Sequence, residues 1–184
     1  MLQANSYITI YNPATIDREE LINDFVIRLK EFKRIFDDIK NSKMEYPEQH
    51  YIIQGQRGYG KTTLLLRLYH EIKDNDSLSK RFLPVIFTEE QYNIRNLEKL
   101  WEHIADHLEE DKDFHGLIDE MESFQKDEEY ESKCFKTIEN YLKTNKKKLI
   151  LFIDNIGDLF KKFKDKENHR LREVLLTSSE IRIV

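Results

Sequence analysis

Gly55-Gln56-Arg57-Gly58-Tyr59-Gly60-Lys61-Thr62 matches the pattern G-x-x-x-x-G-K-[ST] at every specified position, and its flanks restrict what the surrounding chain can fold into. Tyr51-Ile52-Ile53-Gln54 before it reads as a short strand. Residues 60–73 after it carry Leu64, Leu65, Leu68 and Ile72 at helical spacing. A strand that runs through a glycine-rich turn into a helix lets successive backbone N–H groups converge on one point. The helix N-terminus adds its partial positive charge there. This chemistry suits the phosphates of a nucleoside di- or triphosphate. Lys61 is the residue to reach the β and γ phosphates, and the Thr62 hydroxyl is a candidate Mg²⁺ ligand. The backbone of Gly55, Gln56, Arg57, Gly58, Tyr59, Gly60, Lys61, Thr62 and Thr63 is the candidate cradle.

Strands and helices alternate through the rest of the chain. A helical segment is expected over about 16–41, opened by an acidic cap at Asp17 and apolar at intervals of three and four. Phe82–Phe87 reads as a second strand, and Pro84 within it lacks an N–H for a ladder, which places this strand at a sheet edge. Helices are expected over about 93–110, 114–125 and 129–144. Lys148–Asp154 is apolar at consecutive positions, as a strand buried on both faces is. A lysine-rich helical stretch covers about 156–176, and Glu180–Val184 resembles the opening of a fourth strand. The alternation predicts an α/β fold with a mostly parallel sheet and helices on both faces. At 184 residues, one domain over 1–184 is expected. Because the last strand is barely begun, the chain is expected to be a fragment whose C-terminal part is missing.

The charge balance narrows the partners. Lys and Arg number 30 against 35 Asp and Glu, a net charge of −5, which argues against a general nucleic-acid coat. Residues 106–131 hold twelve acids and two lysines and read as a solvated helical surface, with a partner-docking face as the other reading. Lys161, Lys162, Lys164, Lys166, Arg170 and Arg172 form a basic group without a stacking or recognition motif, so nucleic acid is a weakly supported partner. One cysteine, Cys134, leaves no internal disulfide. His103 and His107 have the spacing of a two-histidine metal face, but nothing near them in sequence completes a zinc site. The first residues lack a secretory leader and the apolar run 149–153 is far too short for a membrane span, so no membrane and a cytoplasmic location are expected.

A carboxylate at the end of a buried strand is what a phosphate loop needs to organise a metal ion. Asp154 closes Leu149-Ile150-Leu151-Phe152-Ile153 and is the candidate to hold Mg²⁺ beside Thr62; its other reading is a cap for the helix that follows.

GQRGYGKTTLL (55–65) and LILFIDN (149–155) resemble the Walker A and Walker B motifs of the AAA+ and archaeal-type STAND ATPases. Phe25-Val26-Ile27-Arg28-Leu29-Lys30-Glu31-Phe32 is similar to the F-V-G-R-E-x-E-L box of origin-recognition-like members, departing from it at Ile27 and Leu29. The resemblance implies a three-layer P-loop NTPase domain of strand order 2-3-4-1. It also implies ATP or ADP as ligand with Mg²⁺, and Phe25 and Val26 over the adenine. Relatives of this kind carry Glu after the Walker B Asp to polarise water, where this chain has Asn155. Asn155 thus stands in the catalytic set with Lys61 and Asp154 while leaving hydrolysis open, with Asp158, Glu89 and Glu90 as candidate substitutes. The function expected is coupling of ATP binding or hydrolysis to a conformational or assembly change, with a protein partner or a second copy. A non-hydrolysing nucleotide switch is the alternative, and a DNA-associated ATPase module a weaker one. A GTPase is disfavoured, because Asn145-Lys146-Lys147-Lys148 lacks the guanine-reading Asp and precedes the acidic strand.

Overall fold

The computed structural model describes residue 21, residues 28–88 and residues 94–184. Three parallel strands form the sheet: β1 (Phe82–Phe87), β2 (Lys148–Ile153) and β3 (Ile181–Ile183), in the order β1-β2-β3. β1 lies in register from Phe82 opposite Lys148 to Phe87 opposite Ile153. β3 is registered from Leu149 opposite Ile181 to Leu151 opposite Ile183. Among the described residues β1 pairs only with β2, so Pro84, opposite Ile150, sits in an edge strand.

The period of two along β2 divides the core. Leu149, Leu151 and Ile153 join one apolar cluster, while Ile150 and Phe152 join another. The first cluster is filled by α4 (Leu97–Leu108), α5 (Leu117–Ser123), α6 (Tyr130–Thr144), α7 (Ile156–Lys162) and α8 (Asp165–Thr177). Trp101 is fully buried at its centre and donates its indole N–H to Glu131 at 2.7 Å. The second cluster is filled by α1 (Leu29–Asn41), α2 (Lys61–Lys73) and the short α3 (Asp76–Ser79) through Ile35, Ile39, Leu64, Leu68, Ile72 and Leu78. Both sets of β2 side chains are therefore sealed by helices, which accounts for the unbroken apolar run of this strand.

Several element boundaries differ from the sequence expectation, each for a local reason. The helix expected from about 93 begins at Leu97, where the Asn96 side chain accepts from the Lys99 N–H. The helix expected over 114–125 is a 3₁₀ turn at Lys112–Phe114 followed by α5, because Gly116 turns left-handed with φ 89° between them. The Glu109 carboxylate accepts from Gly116 and Ile118 N–H at 2.7 and 3.1 Å and closes that break. The lysine-rich stretch is two helices. Phe163 leaves α7 in an extended conformation to enter the core at 5% exposure, and Glu167 caps α8 by accepting from the Lys164 N–H at 2.8 Å. Part of the acidic run 106–131 thus closes backbone.

The strand expected at Tyr51–Gln54 is not formed as one. Tyr51 donates to the Ile183 carbonyl at 3.0 Å, but the Ile183 N–H is bonded at 3.1 Å to His50 Nδ1. In a parallel ladder the Ile183 N–H would go to the carbonyl of residue 49, so the ring nitrogen ends the pairing on the N-terminal side of Tyr51, while His50 Nε2 meets the Leu175 carbonyl at 2.9 Å. With Nδ1 facing the Ile183 N–H, Nε2 is the ring nitrogen that faces the Leu175 carbonyl as a donor. No helix among the described residues is long and apolar enough to cross a membrane.

Candidate functional site

The loop between residue 54 and α2 is shaped by two left-handed glycines. Tyr59 N–H returns to the Gln56 carbonyl at 3.3 Å, and Gly58, third residue of that turn, has φ 81°. Gly60 has φ 68° and is the N-cap of α2, its carbonyl accepting from Leu64 N–H at 3.0 Å. A side chain with a Cβ rarely holds such a φ, so glycine is favoured at both corners. The first-turn N–H groups of α2 have no partner within the helix and add partial positive charge at its mouth.

Lys61 opens α2 with its ammonium folded back over the loop, donating to the Gly55 and Gln56 carbonyls at 2.9 and 3.0 Å. Thr62 follows, and its hydroxyl donates to Asp154 Oδ2 at 2.6 Å, joining residues 92 apart in sequence. Asp154 lies at the end of β2 at 6% exposure, and its Oδ1 accepts from the Asn155 N–H at 3.1 Å. Thr63 is buried at 8% exposure beneath the loop, whereas Gln56, Arg57 and Tyr59 are exposed. A cleft of about 430 Å³ runs from Gly55 and Lys61 to Asp154 and Asn155, walled by Ile53, Ile156, Phe160 and Val184.

The donor chemistry fits the expected ligands. Thr62 and Asp154 present hard oxygens side by side, the donor type Mg²⁺ takes. Gly58 and Gly60 give the loop two left-handed corners beside the Lys61 ammonium, the type of backbone turn that can receive phosphate oxygens. The cap position belongs to Asn155, N-cap of α7, with φ 50° and ψ 39°.

That left-handed backbone supplies a reason for asparagine which is independent of water activation, because Asn tolerates this region better than Glu. Asn155→Glu is expected to cost about 1 kcal/mol from backbone strain, lowering the melting temperature by roughly 2–4 °C. Asn155→Gly is expected to leave it nearly unchanged. Thermal melts of the two variants check this, and equal losses would show that the left-handed turn is not what selects the residue.

Other candidates are scattered. Phe25, Val26, Glu89 and Glu90 lie outside the described residues. Asp158 is exposed on the first turn of α7, and its partner Lys161, 2.8 Å away, holds its carboxyl below the usual range. Arg170 is spent on Glu131 at 3.3 Å and Glu173 at 3.0 Å, so two members of the basic group already have acidic partners. His103 meets Asp106 at 3.6 Å and His107 stands edge-on to Phe87, two separate roles. Among the described residues no group of three or more His, Cys, Asp and Glu is arranged to hold a metal. Cys134 is fully buried, and burial pushes its thiol up to about 11, away from reactivity.

Two contacts escaped the sequence reading. Arg28, the left-handed N-cap of α1, donates to the Tyr59 carbonyl at 2.6 Å and the Gln54 carbonyl at 3.4 Å, which are the two ends of the loop. Arg182 of β3 is completely buried and bonded to Asp38 of α1, which also accepts from the Tyr51 hydroxyl at 2.8 Å. An isolated arginine in an apolar strand was the available signal for the second; for the first, Arg28 falls at the arginine of the F-V-G-R-E-x-E-L box, a resemblance that pointed to the adenine and not to the loop.

Compared with known proteins, residues 44–183 match a family model described as an AAA domain. No curated protein and no solved structure matches the chain.

Proposed function

The chain belongs to the AAA domain family, and from that premise we propose that it binds ATP with Mg²⁺ at the 55–63 loop and couples its occupancy to a conformational or assembly change. AAA-type membership and a small parallel sheet with α/β connectivity fit a P-loop ATP-binding domain. The observation that carries the finer reading is the 2.6 Å hydrogen bond from Thr62 to Asp154. It sets the two oxygens that would hold Mg²⁺ side by side, with Lys61 beginning the same helix. Bound Mg²⁺ would supply charge neutralisation at the β and γ phosphates. The chain's own residues would do the rest: loop N–H groups orient the phosphates, Lys61 leaves its carbonyl partners for phosphate oxygens, and Asp154 holds Thr62 in place. On the same proposal, the β1-β2-β3 order corresponds to the 2-3-4 part of a 2-3-4-1 order in a three-layer domain, with Tyr51 bonded beside β3.

A second reading, that nucleotide is held as a switch with little turnover, is favoured by Asn155. Its amide can orient water but cannot accept a proton, and its left-handed backbone disfavours the Glu that would. A titration with ATP, ADP and GTP, with and without Mg²⁺, followed by phosphate release under single-turnover conditions, tests both. Mg²⁺-dependent binding of the adenine nucleotides with ATP left intact is the expected result. Rapid phosphate release would sink the switch reading, and equal binding of GTP would sink the preference for adenine.

A further inference from the structure

Arg28 lies outside the phosphate loop yet grips both of its ends. Its Nε donates to the Tyr59 carbonyl at 2.6 Å and its Nη2 to the Gln54 carbonyl at 3.4 Å. The side chain is only 15% exposed, with Glu31 3.9 Å from Nη1. Its backbone holds φ 57° and ψ 27°, a region that a residue with a Cβ seldom occupies unless its surroundings impose it. A Cβ built on Gly55 would stand 2.5 Å from Nη2, so the guanidinium fills the space that glycine leaves open.

These contacts bear on the groups that meet phosphate. No described peptide bond is cis, and in a trans peptide the carbonyl and the following N–H point in opposite directions. Drawing the Gln54 and Tyr59 carbonyls towards Arg28 therefore turns the N–H groups of Gly55 and Gly60 to the other side of the loop. Lys61 takes two further carbonyls, those of Gly55 and Gln56. Two cations thus hold four carbonyls of this loop.

We propose that Arg28 is a positioning residue for nucleotide binding, clasping the two ends of the loop so that the Gly55 and Gly60 amides face the phosphates. Because Arg28 is also the N-cap of α1, and its carbonyl accepts from Phe32 N–H at 2.9 Å, the position of α1 is coupled to phosphate affinity. The inference rests on the nucleotide reading above and adds a residue that touches the loop, not the ligand.

The test compares wild type, Arg28→Ala and Arg28→Lys by NMR titration with ATP, ADP and adenosine, and records the Gly55 and Gly60 amide resonances before any ligand is added. Losing charge-assisted hydrogen bonds that shape the loop is expected to weaken ATP and ADP about tenfold. Adenosine, which has no phosphate, should bind unchanged. Lysine carries the charge without the two-pronged fork, so Arg28→Lys should behave like Arg28→Ala. Both variants should move the two glycine amides in the ligand-free protein. Unchanged ATP affinity, an equal loss for adenosine, or full function in Arg28→Lys would overturn the clasp. If wild type bound no nucleotide, the nucleotide reading would fall, and the two amides alone would decide: unmoved resonances in Arg28→Ala would overturn the clasp as well.

Discussion

Lys61→Ala is expected to abolish the stabilisation that ATP confers on this domain. At a free ligand concentration about a hundred times its dissociation constant, binding adds about 2.7 kcal/mol, a rise in melting temperature of roughly 5–10 °C at this chain length. Removing the ammonium removes charge-assisted hydrogen bonds worth about 3 kcal/mol, which weakens binding on the order of a hundredfold. At the same ATP concentration the remaining stabilisation is about 0.4 kcal/mol, close to the error of a melt. Without nucleotide the variant should melt near wild type, because Lys61 is partly exposed and bonded to two loop carbonyls that water can also reach. The separation of these effects is informative. A shift preserved in Lys61→Ala would show that ATP binds away from the loop, and a collapse of the ligand-free melt would show that Lys61 acts structurally.

The second large effect concerns a charge in the core. Arg182 is 0% exposed, its Nε and Nη1 have no hydrogen-bond partner among the described residues, and its guanidinium lies 5.2 Å from the centroid of the Tyr51 ring. Among the described residues the carboxylate paired with it is Asp38, whose side chain is 46% exposed. Asp38→Ala leaves that buried cation against an aromatic face alone. Breaking a buried pair from one side is strongly destabilising; with Asp38 half in water, about 2 kcal/mol is expected, or roughly 4–8 °C in melting temperature. Arg182→Met should be nearly neutral, since it removes the charge and the two unsatisfied donors together. In that background Asp38→Ala should cost little. A double-mutant cycle measures this coupling directly, and additive losses would refute it.

The same pair makes a pH prediction. Burial raises the Asp38 carboxyl, but hydrogen bonds from Arg182 and Tyr51 outweigh it and hold the group below the usual carboxylate range. Hydrogen bonds from Lys147 and the Asp113 N–H outweigh burial in the same way at Asp111. A depressed folded-state pKa contributes stability that is complete above the unfolded value near 4. It is lost as pH falls through the folded-state value. Melting temperature should therefore drop below about pH 4, and the drop should be shallower in Asp38→Ala.

What could be read in advance was whatever lies within a few residues of its own cause. The loop was legible because G-x-x-x-x-G-K-[ST] states its backbone requirement in residue type, and Gly58 and Gly60 do hold left-handed φ. Pro84 announced an edge strand by lacking a donor, and β2 announced burial by being apolar at every position from Leu149 to Ile153. The break at Phe163 was hidden by lysines that kept the helical pattern of composition intact across it. The contact of His50 with Ile183 beside Tyr51–Gln54 spans 133 residues and left no local mark.

By itself, then, the sequence determined the phosphate loop, the alternation of strands and helices, and the two faces of β2, because propensity and period act over short spans. Only the tertiary structure decided that Thr62 meets Asp154, that Arg28 grips both ends of the loop, and that Asp38 partners the buried Arg182. Those pairings join residues separated by 26 to 144 positions. A hydrogen bond across such a span exists only once the packing of α1, α2 and the sheet has set its length and angle.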